Sequence, residues 1–182
     1  GKAVGVGVLV AAIAAGAGYG GAALQGNGDD GATVPDGTSA LDVPASDAIS
    51  DRVKKLIVEL KATMKEENGC GIAAPQVGIH ERIIIVDDGK GAKAYLNPVI
   101  VSKSLRMFLF EEGCLSVPGV WGMVRRHRSV KVTAIDEEGK TVKVSGKDLL
   151  SVIFQHEIDH LDGKLFIDRV EKITRMPNNS IL

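Results

Sequence analysis

The segment His156–His160, which reads HEIDH, constrains the fold of this 182-residue chain more than any other feature. It lies in a predicted helix over 147–161, whose apolar stripe continues in register into both histidines: Leu149, Val152, Ile153. Two histidines four residues apart share one helix face, so both imidazoles point into the core and can reach one metal ion. Buried imidazoles need partners, and a metal ion supplies them. The segment therefore predicts a core helix with a metal site and with Glu157 as a general base.

A catalytic metal site of this kind needs a third protein ligand. Phe166 stands where a third histidine would complete the HExxHxxGxxH pattern, and Glu171 lies close to the helix end with only a short tail after it. The ligand is therefore expected before the helix, from one of these residues: Cys70, His80, Cys114, His127. We favour Cys114, because the stretch 111–119 is bounded by Gly and Pro and can expose backbone N–H groups beside a thiolate. On spacing alone, the alternative is that Cys114 is a small buried core residue.

The segment Gly69–Gln76, which reads GCGIAAPQ, places small residues on both sides of Gly71. Such residues let the backbone approach a ligand or a neighbouring strand closely. Gln76 follows a proline and can present an amide N–H donor. On these residues alone, a loop packed tightly after the first helix is the favoured interpretation.

The rest of the chain predicts an α+β fold. A helix over 50–68 has one apolar face, formed by residues at helical spacing: Val53, Leu56, Ile57, Leu60, Met64. Strands are expected over several stretches, the last two of which form a hairpin: 82–86, 92–101, 105–110, 129–135, 141–144. The final helix has Ser145 before it as a cap and Gly163 after it. Antiparallel strand groups with a helix at either end favour α+β over alternating βαβ units.

Composition sets the broad class of the protein. The formal net charge is −1, with 45% hydrophobic and 25% charged residues. These values exclude a wholly disordered chain, a collagen-like chain and a polytopic membrane protein. The near-neutral balance disfavours a dedicated nucleic-acid binder. Two cysteines are too few for a disulfide framework, although a single disulfide between them is an option in an exported protein.

Residues 1–31 differ from the rest of the chain. They hold 10 of the 22 glycines, and residues 3–24 carry no charged side chain. We interpret them as a disordered, Gly/Ala-rich extension, with a weak signal or anchor as the alternative. Residues 1–50 carry one base and five acids, a net charge of −4, whereas residues 51–182 carry 21 bases and 18 acids, a net charge of +3. We expect the folded domain to span 32–182.

Three segments, in this order and spacing, resemble the three motifs of peptide deformylase: Gly69–Gln76, Glu112–Ser116, His156–His160. The resemblance runs from about Val34 to about Val170. Enzymes of this family remove the N-formyl group from the N-terminal methionine of newly made bacterial and organellar proteins and release formate. The resemblance implies antiparallel β-sheets packed around a central HExxH-bearing helix, with an N-terminal helix, and a catalytic domain over 32–182.

The resemblance further implies that Cys114, His156 and His160 bind one divalent metal ion, with water as the fourth ligand. Fe²⁺ is the family's usual ion, with Zn²⁺, Ni²⁺ or Co²⁺ as substitutes, and the ligand set does not choose among them. The metal would lower the pKa of its water, so that hydroxide attacks the formyl carbon near neutral pH. Glu157 would take the water proton and deliver it to the departing amine.

Other residues of the three motifs would contact the substrate. Gln76 and the backbone N–H of Leu115 would stabilise the oxyanion. Gly71 matches the glycine whose backbone approaches the substrate. Cys70 stands where many members carry an aliphatic residue, near the pocket for the substrate methionine. It would therefore lie near Cys114, and oxidation of the two thiols would disable the metal site.

The partners that the resemblance implies are N-formylmethionyl nascent peptides, met close to the ribosome in the cytoplasm. No direct nucleic-acid binding and no firm membrane partner are expected. The chain departs from the family by about thirty extra N-terminal residues, and its C-terminal helix is absent or reduced to Glu171–Leu182. Two alternatives are a metallopeptidase that uses the same histidine pair, and a binding module on an inactive scaffold. The second is disfavoured because every chemically required residue is present.

Overall fold

A computed structural model of the chain describes residues 8–10, 42–43 and 50–177. The helices of this part are α1 (Asp51–Glu66) and α2 (Leu149–Leu161), and short 3₁₀ helices occur at Ala74–Val77 and Phe166–Asp168. The strands, in chain order, are β1 (Val8–Val10), β2 (Gly71–Ala73), β3 (Ile83–Asp87), β4 (Ala92–Lys103), β5 (Met107–Cys114), β6 (Val117–His127), β7 (Ser129–Ile135), β8 (Thr141–Lys147) and β9 (Val170–Arg175).

The strands form two sheets, which are antiparallel except where β1 pairs with β5 in parallel. One sheet has the strand order β1-β5-β6-β9, and the other has the order β2-β3-β4-β7-β8. Phe110 faces Val124 across the β5–β6 pair, and Val132 faces Val144 across the predicted β7–β8 hairpin. Two largely antiparallel sheets and two helices confirm the predicted α+β class.

The first helix begins at the predicted position and buries the predicted face. The Ser50 hydroxyl accepts a hydrogen bond from the Val53 N–H at 3.3 Å, which satisfies one of the free donors at the helix start. The five apolar residues at helical spacing are all buried in a first core cluster between α1 and the five-stranded sheet. The sheet contributes buried apolar side chains to this cluster, among them Ile83, Ile85, Leu96.

The second helix contacts strands of both sheets, and every residue from Ser151 to Leu161 is buried. Its apolar side chains meet the other face of the five-stranded sheet in a second core cluster, which includes Ile84, Val132, Ile153, Phe154. Polar side chains in such a buried helix need partners inside the protein. The residues that provide these partners form the candidate site described below.

The start of α2 differs from the prediction. Ser145, the predicted cap, lies inside β8, because this strand continues to Lys147. The residue before α2 is Asp148, which has a φ of 50° and makes no side-chain capping hydrogen bond. Its carboxylate forms an ion pair with Arg128 at 2.8 Å, and its N–H donates to the Arg128 carbonyl at 2.9 Å. A single residue therefore turns the chain from strand to helix.

Within residues 50–177, three strands lie outside the predicted set. β2 falls in the segment interpreted as a loop, β6 follows the Cys114 segment, and β9 occupies the place assigned to a reduced C-terminal helix. Pro118 and Gly119 near the start of β6 are typical of a turn. Since β9 is exposed along nearly its whole length, it lacks the alternation of a half-buried strand.

Most of the predicted N-terminal extension, 1–31, lies outside the described residues, so its interpretation stays a prediction. The exception is β1, whose Val8–Val10 backbone pairs with Glu112–Cys114 at the end of β5. In the described ranges, no helix is both long enough and apolar enough to cross a membrane.

Candidate active site

The predicted metal ligands Cys114, His156 and His160 meet in the core where β5 approaches α2. Cys114 is the last residue of β5, and the two histidines stand one turn apart on α2. One possible ligand atom from each residue lies within 4.8 Å of the others, and the Cys114 sulfur is 3.4 Å from His160 Nε2. All three side chains are buried. A thiol and two imidazoles at these separations form a donor set suited to a transition-metal ion.

The other residues considered as ligands lie outside this group. His80 is exposed, and His127 makes a 2.7 Å hydrogen bond through Nδ1 with the Ser104 carbonyl. Cys70 is half-buried, and both cysteines are free thiols, so the disulfide considered for an exported protein is not formed.

Hydrogen-bond donors surround the Cys114 sulfur. Burial raises the pKa of this thiol to about 11, although hydrogen bonds from the backbone and hydroxyl of Ser116 and from the Val117 backbone oppose the rise. Gln76 Nε2 lies 3.7 Å from the same sulfur. Such donors favour the thiolate, which is the form that binds metal ions. The Gly/Pro-bounded stretch therefore brings backbone N–H groups to the thiol, as its sequence predicts.

A buried carboxylate orients His156. Glu112 Oε2 lies 2.7 Å from His156 Nδ1, so this nitrogen donates to the carboxylate and Nε2 is the ring nitrogen left for a ligand. Arg126 donates two hydrogen bonds to Glu112, at 2.7 and 2.9 Å. Burial alone would raise the pKa of Glu112, but the hydrogen bonds from Arg126 and His156 outweigh it and lower the pKa to about 2. Glu112 is therefore a buried anion that fixes the imidazole.

Asp159 extends this network from inside the HEIDH segment. Arg126 donates to Asp159 at 2.6 Å, and Arg169 donates through Nη2 to Asp159 Oδ1 at 2.9 Å. Arg169 Nε also forms an ion pair with Asp159 Oδ2 at 2.8 Å. Arg126 is only 3% exposed, so its charge would be costly without these partners. No sequence pattern assigns a role to Glu112, Arg126 or Asp159. Glu112 and Asp159 lie within motif segments, and this position was the only hint in the sequence that they support the site. Residue spacing does not show which arginine pairs with them.

Three buried atoms of the site have no hydrogen-bond partner among the residues that the structure describes: His156 Nε2, Glu157 Oε1, Glu157 Oε2. Burial and then the charge of Glu112 hold the pKa of Glu157 well above its usual range. Burial, followed by the charge of His156, lowers the pKa of His160 to about 3, so its imidazole is neutral. The neutral imidazole of His160 and the unpartnered buried atoms of His156 and Glu157 fit a bound cation, which would supply the missing partner.

Gly71 lets β2 lie directly against Glu157. A Cβ at this position would meet Glu157 Oε1 and would come within 2.9 Å of both Glu157 Cδ and Ile153 Cγ2. Gly71 therefore allows a close approach to α2, whereas the sequence predicts an approach to a ligand or a neighbouring strand. Cys70, one residue earlier, has its thiol pKa raised to about 12 by burial and by the charge of Glu157. Both residues thus stand beside the candidate general base.

Gln76 is anchored at both ends of its carboxamide. Its Oε1 accepts a hydrogen bond from the Ala73 N–H at 2.8 Å, and its Nε2 donates to Ser116 Oγ at 3.0 Å. Leu115 follows the metal-ligand candidate Cys114, and its side chain packs on the first core cluster. A cavity of about 220 Å³ opens beside these residues, with Gln76 and His160 in its lining. The site is therefore open to a small ligand.

Comparison with known proteins identifies the family. The family model described as polypeptide deformylase matches residues 34–176. The chain belongs to the polypeptide deformylase family. Residues 1–33 lie outside the match, which begins at Val34 as the motif resemblance indicates. Deformylases are hydrolases, and this chain removes the N-formyl group from N-terminal methionine.

Individual deformylases cover most of the folded domain. The peptide deformylase of Desulfitobacterium hafniense is 43% identical over 127 residues, which make up 70% of this chain and 84% of the relative. That of Acetivibrio thermocellus is 47% identical over 124 residues, 68% of this chain and 72% of the relative. A Met-Ala-Ser-bound crystal structure of class I type b peptide deformylase from Acinetobacter baumannii has a TM-score of 0.69 and 40% identity, over 72% of this chain and 89% of that one. The architecture is thus the deformylase fold.

Proposed function

We propose that this deformylase acts through one divalent cation bound by Cys114, His156 and His160. Support comes from three buried donors within 4.8 Å of one another and from the unpartnered Nε2 of His156 in the described part of the chain. Fe²⁺ is the native ion in this proposal, with Zn²⁺, Ni²⁺ or Co²⁺ as substitutes, because thiolate and imidazole donors suit all of them. When bound, the cation would acidify a water molecule and polarise the formyl carbonyl.

Glu157 is the general base and acid in this proposal. Both of its oxygens are buried beside the histidines, and its raised pKa suits proton transfer closer to neutral pH than an ordinary carboxyl allows. As water adds to the formyl carbon, Glu157 accepts one of the water protons. As the carbon–nitrogen bond breaks, Glu157 returns that proton to the amine nitrogen. The products are formate and a peptide with a free N-terminal amine.

Gln76 and the backbone N–H of Leu115 stabilise the negative charge that develops on the formyl oxygen. The Gln76 carboxamide is held by Ala73 and Ser116, so its Nε2 stays close to the Cys114 sulfur. The support for Leu115 is that it directly follows Cys114, the proposed thiol ligand. Donors that are already fixed before the reaction stabilise such charge without reorganisation.

The substrate is an N-formylmethionyl peptide, which the enzyme would meet on newly made proteins near the ribosome in the cytoplasm. The related Acinetobacter baumannii enzyme is described with Met-Ala-Ser bound, a sequence expected of a deformylated product. Gly71 would approach the substrate through its backbone, and Cys70 would border the methionine pocket, since both stand beside Glu157. In this assignment α2 is the central helix of the family fold, and α1 is its N-terminal helix.

Formate release from formyl-Met-Ala, measured on protein purified without oxygen and analysed for metal, tests the proposal. The Glu157→Gln variant should lower kcat by about 10²–10⁴-fold while its metal content stays unchanged, because only proton transfer is lost. Glu59→Gln, an exposed exchange on α1, is the matched control and should retain full activity. Full activity in Glu157→Gln, or cleavage of casein with formyl peptides untouched, would contradict the proposed function.

The same assay tests the thiol ligand. Cys114→Ser should lose or weaken metal binding, because a serine hydroxyl is a poorer ligand than a thiolate for soft metal ions. Cys70→Ser is the matched control and should keep its metal. An unaltered metal content in Cys114→Ser would remove this residue from the ligand set.

A further inference from the structure

A second cavity, of about 80 Å³, lies between β4, β6 and α2. It shares no lining residue with the cavity beside His160, so it is a separate site. Its buried wall is formed by Arg126 from β6 and by Gln155 and Asp159 from α2. Cavities of this size in a polar setting have room for more than one water molecule, and hence for a small oxyanion.

Positive charge dominates this second cavity. Its lining contains four cationic side chains, Lys103, Arg125, Arg126, Arg169. Asp159 is the only carboxylate among the described lining residues, and two further carboxylates, Glu112 and Glu171, pair with Arg126 and Arg125, so these cationic and acidic groups together carry a formal charge of +1. A concave surface with charge of one sign concentrates ions of the opposite sign. The second cavity therefore favours an anion.

Several N–H groups around the second cavity remain available. The Lys103 amine has no hydrogen-bond or ion-pair partner in the described part of the chain. Arg125 and Arg169 each use Nε and Nη2 to hold a carboxylate, Glu171 and Asp159 respectively, which leaves Nη1 for another acceptor. These donors come from β4, from β6 and from the residue just before β9, and all three side chains line the second cavity.

The positively charged guanidinium of Arg126 forms the rigid base of the second cavity. Each of its three nitrogens donates to a carboxylate oxygen, at 2.6 to 2.9 Å. Because the guanidinium is fixed and nearly buried, an anion that enters does not have to order it. The exposed Lys103 and Arg169 then act as movable donors at the entrance.

We propose that the second cavity binds a phosphate group, supplied either by inorganic phosphate or by the backbone of an RNA chain. A tetrahedral oxyanion with several oxygens can accept hydrogen bonds from donors on different strands at once, whereas one planar carboxylate matches a single guanidinium fork. The second cavity uses none of the proposed catalytic residues. Two of its wall residues, Arg126 and Asp159, nevertheless belong to the network that orients His156 through Glu112.

Calorimetric titration of the metal-loaded full chain with inorganic phosphate at low ionic strength tests this proposal. Lys103→Ala should weaken phosphate binding by about tenfold, the usual effect of losing a hydrogen bond to a charged group. Lys93→Ala is the matched control, because Lys93 is an exposed lysine on the same strand that does not line the second cavity. Circular dichroism checks that both variants are folded.

Two results would overturn the proposal. One is the absence of phosphate binding up to about 10 mM, which is weaker than a built site should be. The other is an equal loss of binding in Lys103→Ala and Lys93→Ala, which would reveal general surface attraction.

A short single-stranded RNA of mixed sequence distinguishes the two sources of phosphate. If RNA binds, is displaced by phosphate, and shows a salt slope that Lys103→Ala lowers by about 0.7, the site takes an RNA phosphate. If phosphate binds and RNA does not, the source is the free anion. RNA binding that phosphate cannot displace would contradict the assignment of RNA to this cavity.

Discussion

α1 packs one apolar face against the five-stranded sheet and leaves the other face in solvent, whereas α2 is buried on every side from Ser151 to Leu161. The first helix needs only its apolar stripe for stability. The second helix also buries Glu157, Asp159 and two histidines, so its stability depends on partners elsewhere in the fold. Arg126 and Glu112 supply two of these partners. α1 is therefore stabilised by hydrophobic contacts, whereas α2 is stabilised by hydrophobic contacts and by paired buried charges.

Breaking the charge network behind α2 should have the largest effect on stability. Arg126→Met would leave the carboxylates of Glu112 and Asp159 buried without their shared cation. We expect the free energy of unfolding to fall by about 3–5 kcal/mol, as when one partner of a buried ion pair is removed. Denaturant unfolding of the metal-free protein measures this. A change below 1 kcal/mol would mean that the remaining partners, Arg169 for Asp159 and His156 for Glu112, are sufficient for these carboxylates.

A core truncation in α1 should come next. Leu60 is 1% exposed in the first core cluster, and Leu60→Ala would remove buried apolar surface and leave a cavity. The expected loss is about 3 kcal/mol. The exposed Val58, also on α1, is the control, and Val58→Ala should change the free energy of unfolding by less than about 0.5 kcal/mol. Similar losses at both positions would show that the two faces of α1 do not differ as described.

The pH dependence of the free energy of unfolding tests the charge network behind α2 in a second way. The pKa of Glu112 is about 2 in the folded protein against an ordinary value of 4.5, so its ionised form stabilises the fold above pH 4.5. This stabilisation should be lost as the pH falls from 4.5 towards about 2. Unfolding measured across this window should show a smaller acid-induced loss in Glu112→Gln than in the original chain. Equal losses would mean that other carboxyl groups cause the acid sensitivity.

The smallest effect is expected on the solvent face of α1. Arg52 forms an ion pair with Glu81 at 2.6 Å, but its side chain is 58% exposed. Arg52→Met should therefore change the free energy of unfolding by about 0–1 kcal/mol. Arg52→Met replaces an arginine by methionine as Arg126→Met does, but at a solvent-exposed position. A loss as large as that of Arg126→Met would show that burial is not what distinguishes the two arginines.

Local patterns predicted α1, the β7–β8 hairpin and the HEIDH helix, because each has its own apolar periodicity. They did not predict β9, whose residues are exposed and whose pairing with β6 depends on a distant strand. Ser145 was a reasonable cap by residue type, but pairing of β8 with β7 carries the strand past it. Strand length is therefore decided here by the neighbouring strand rather than by local preference.

In the candidate site, too, some residues are predicted from the local sequence and others only from the folded structure. Its chemically unusual residues, such as Cys114 and His156, stand out in the sequence because they lie in the three motif segments that resemble the family. The supporting arginine does not stand out, since Arg125, Arg126 and Arg128 look equivalent in the sequence. Strand alternation buries Arg126 alone of the three and pairs it with Glu112. A supporting residue is thus identified by the direction of its side chain, which requires the folded sheet.

The distance in sequence between Cys114 and His160, 46 residues, has a consequence for how the enzyme matures. Bringing these side chains together requires β5, β6 and α2 to be in place, because contacts of long sequence separation form only after the intervening chain is ordered. During synthesis the thiol emerges well before the two histidines. The proposed metal centre would therefore be completed among the last steps of folding, and a loaded enzyme would report that its whole C-terminal half has folded.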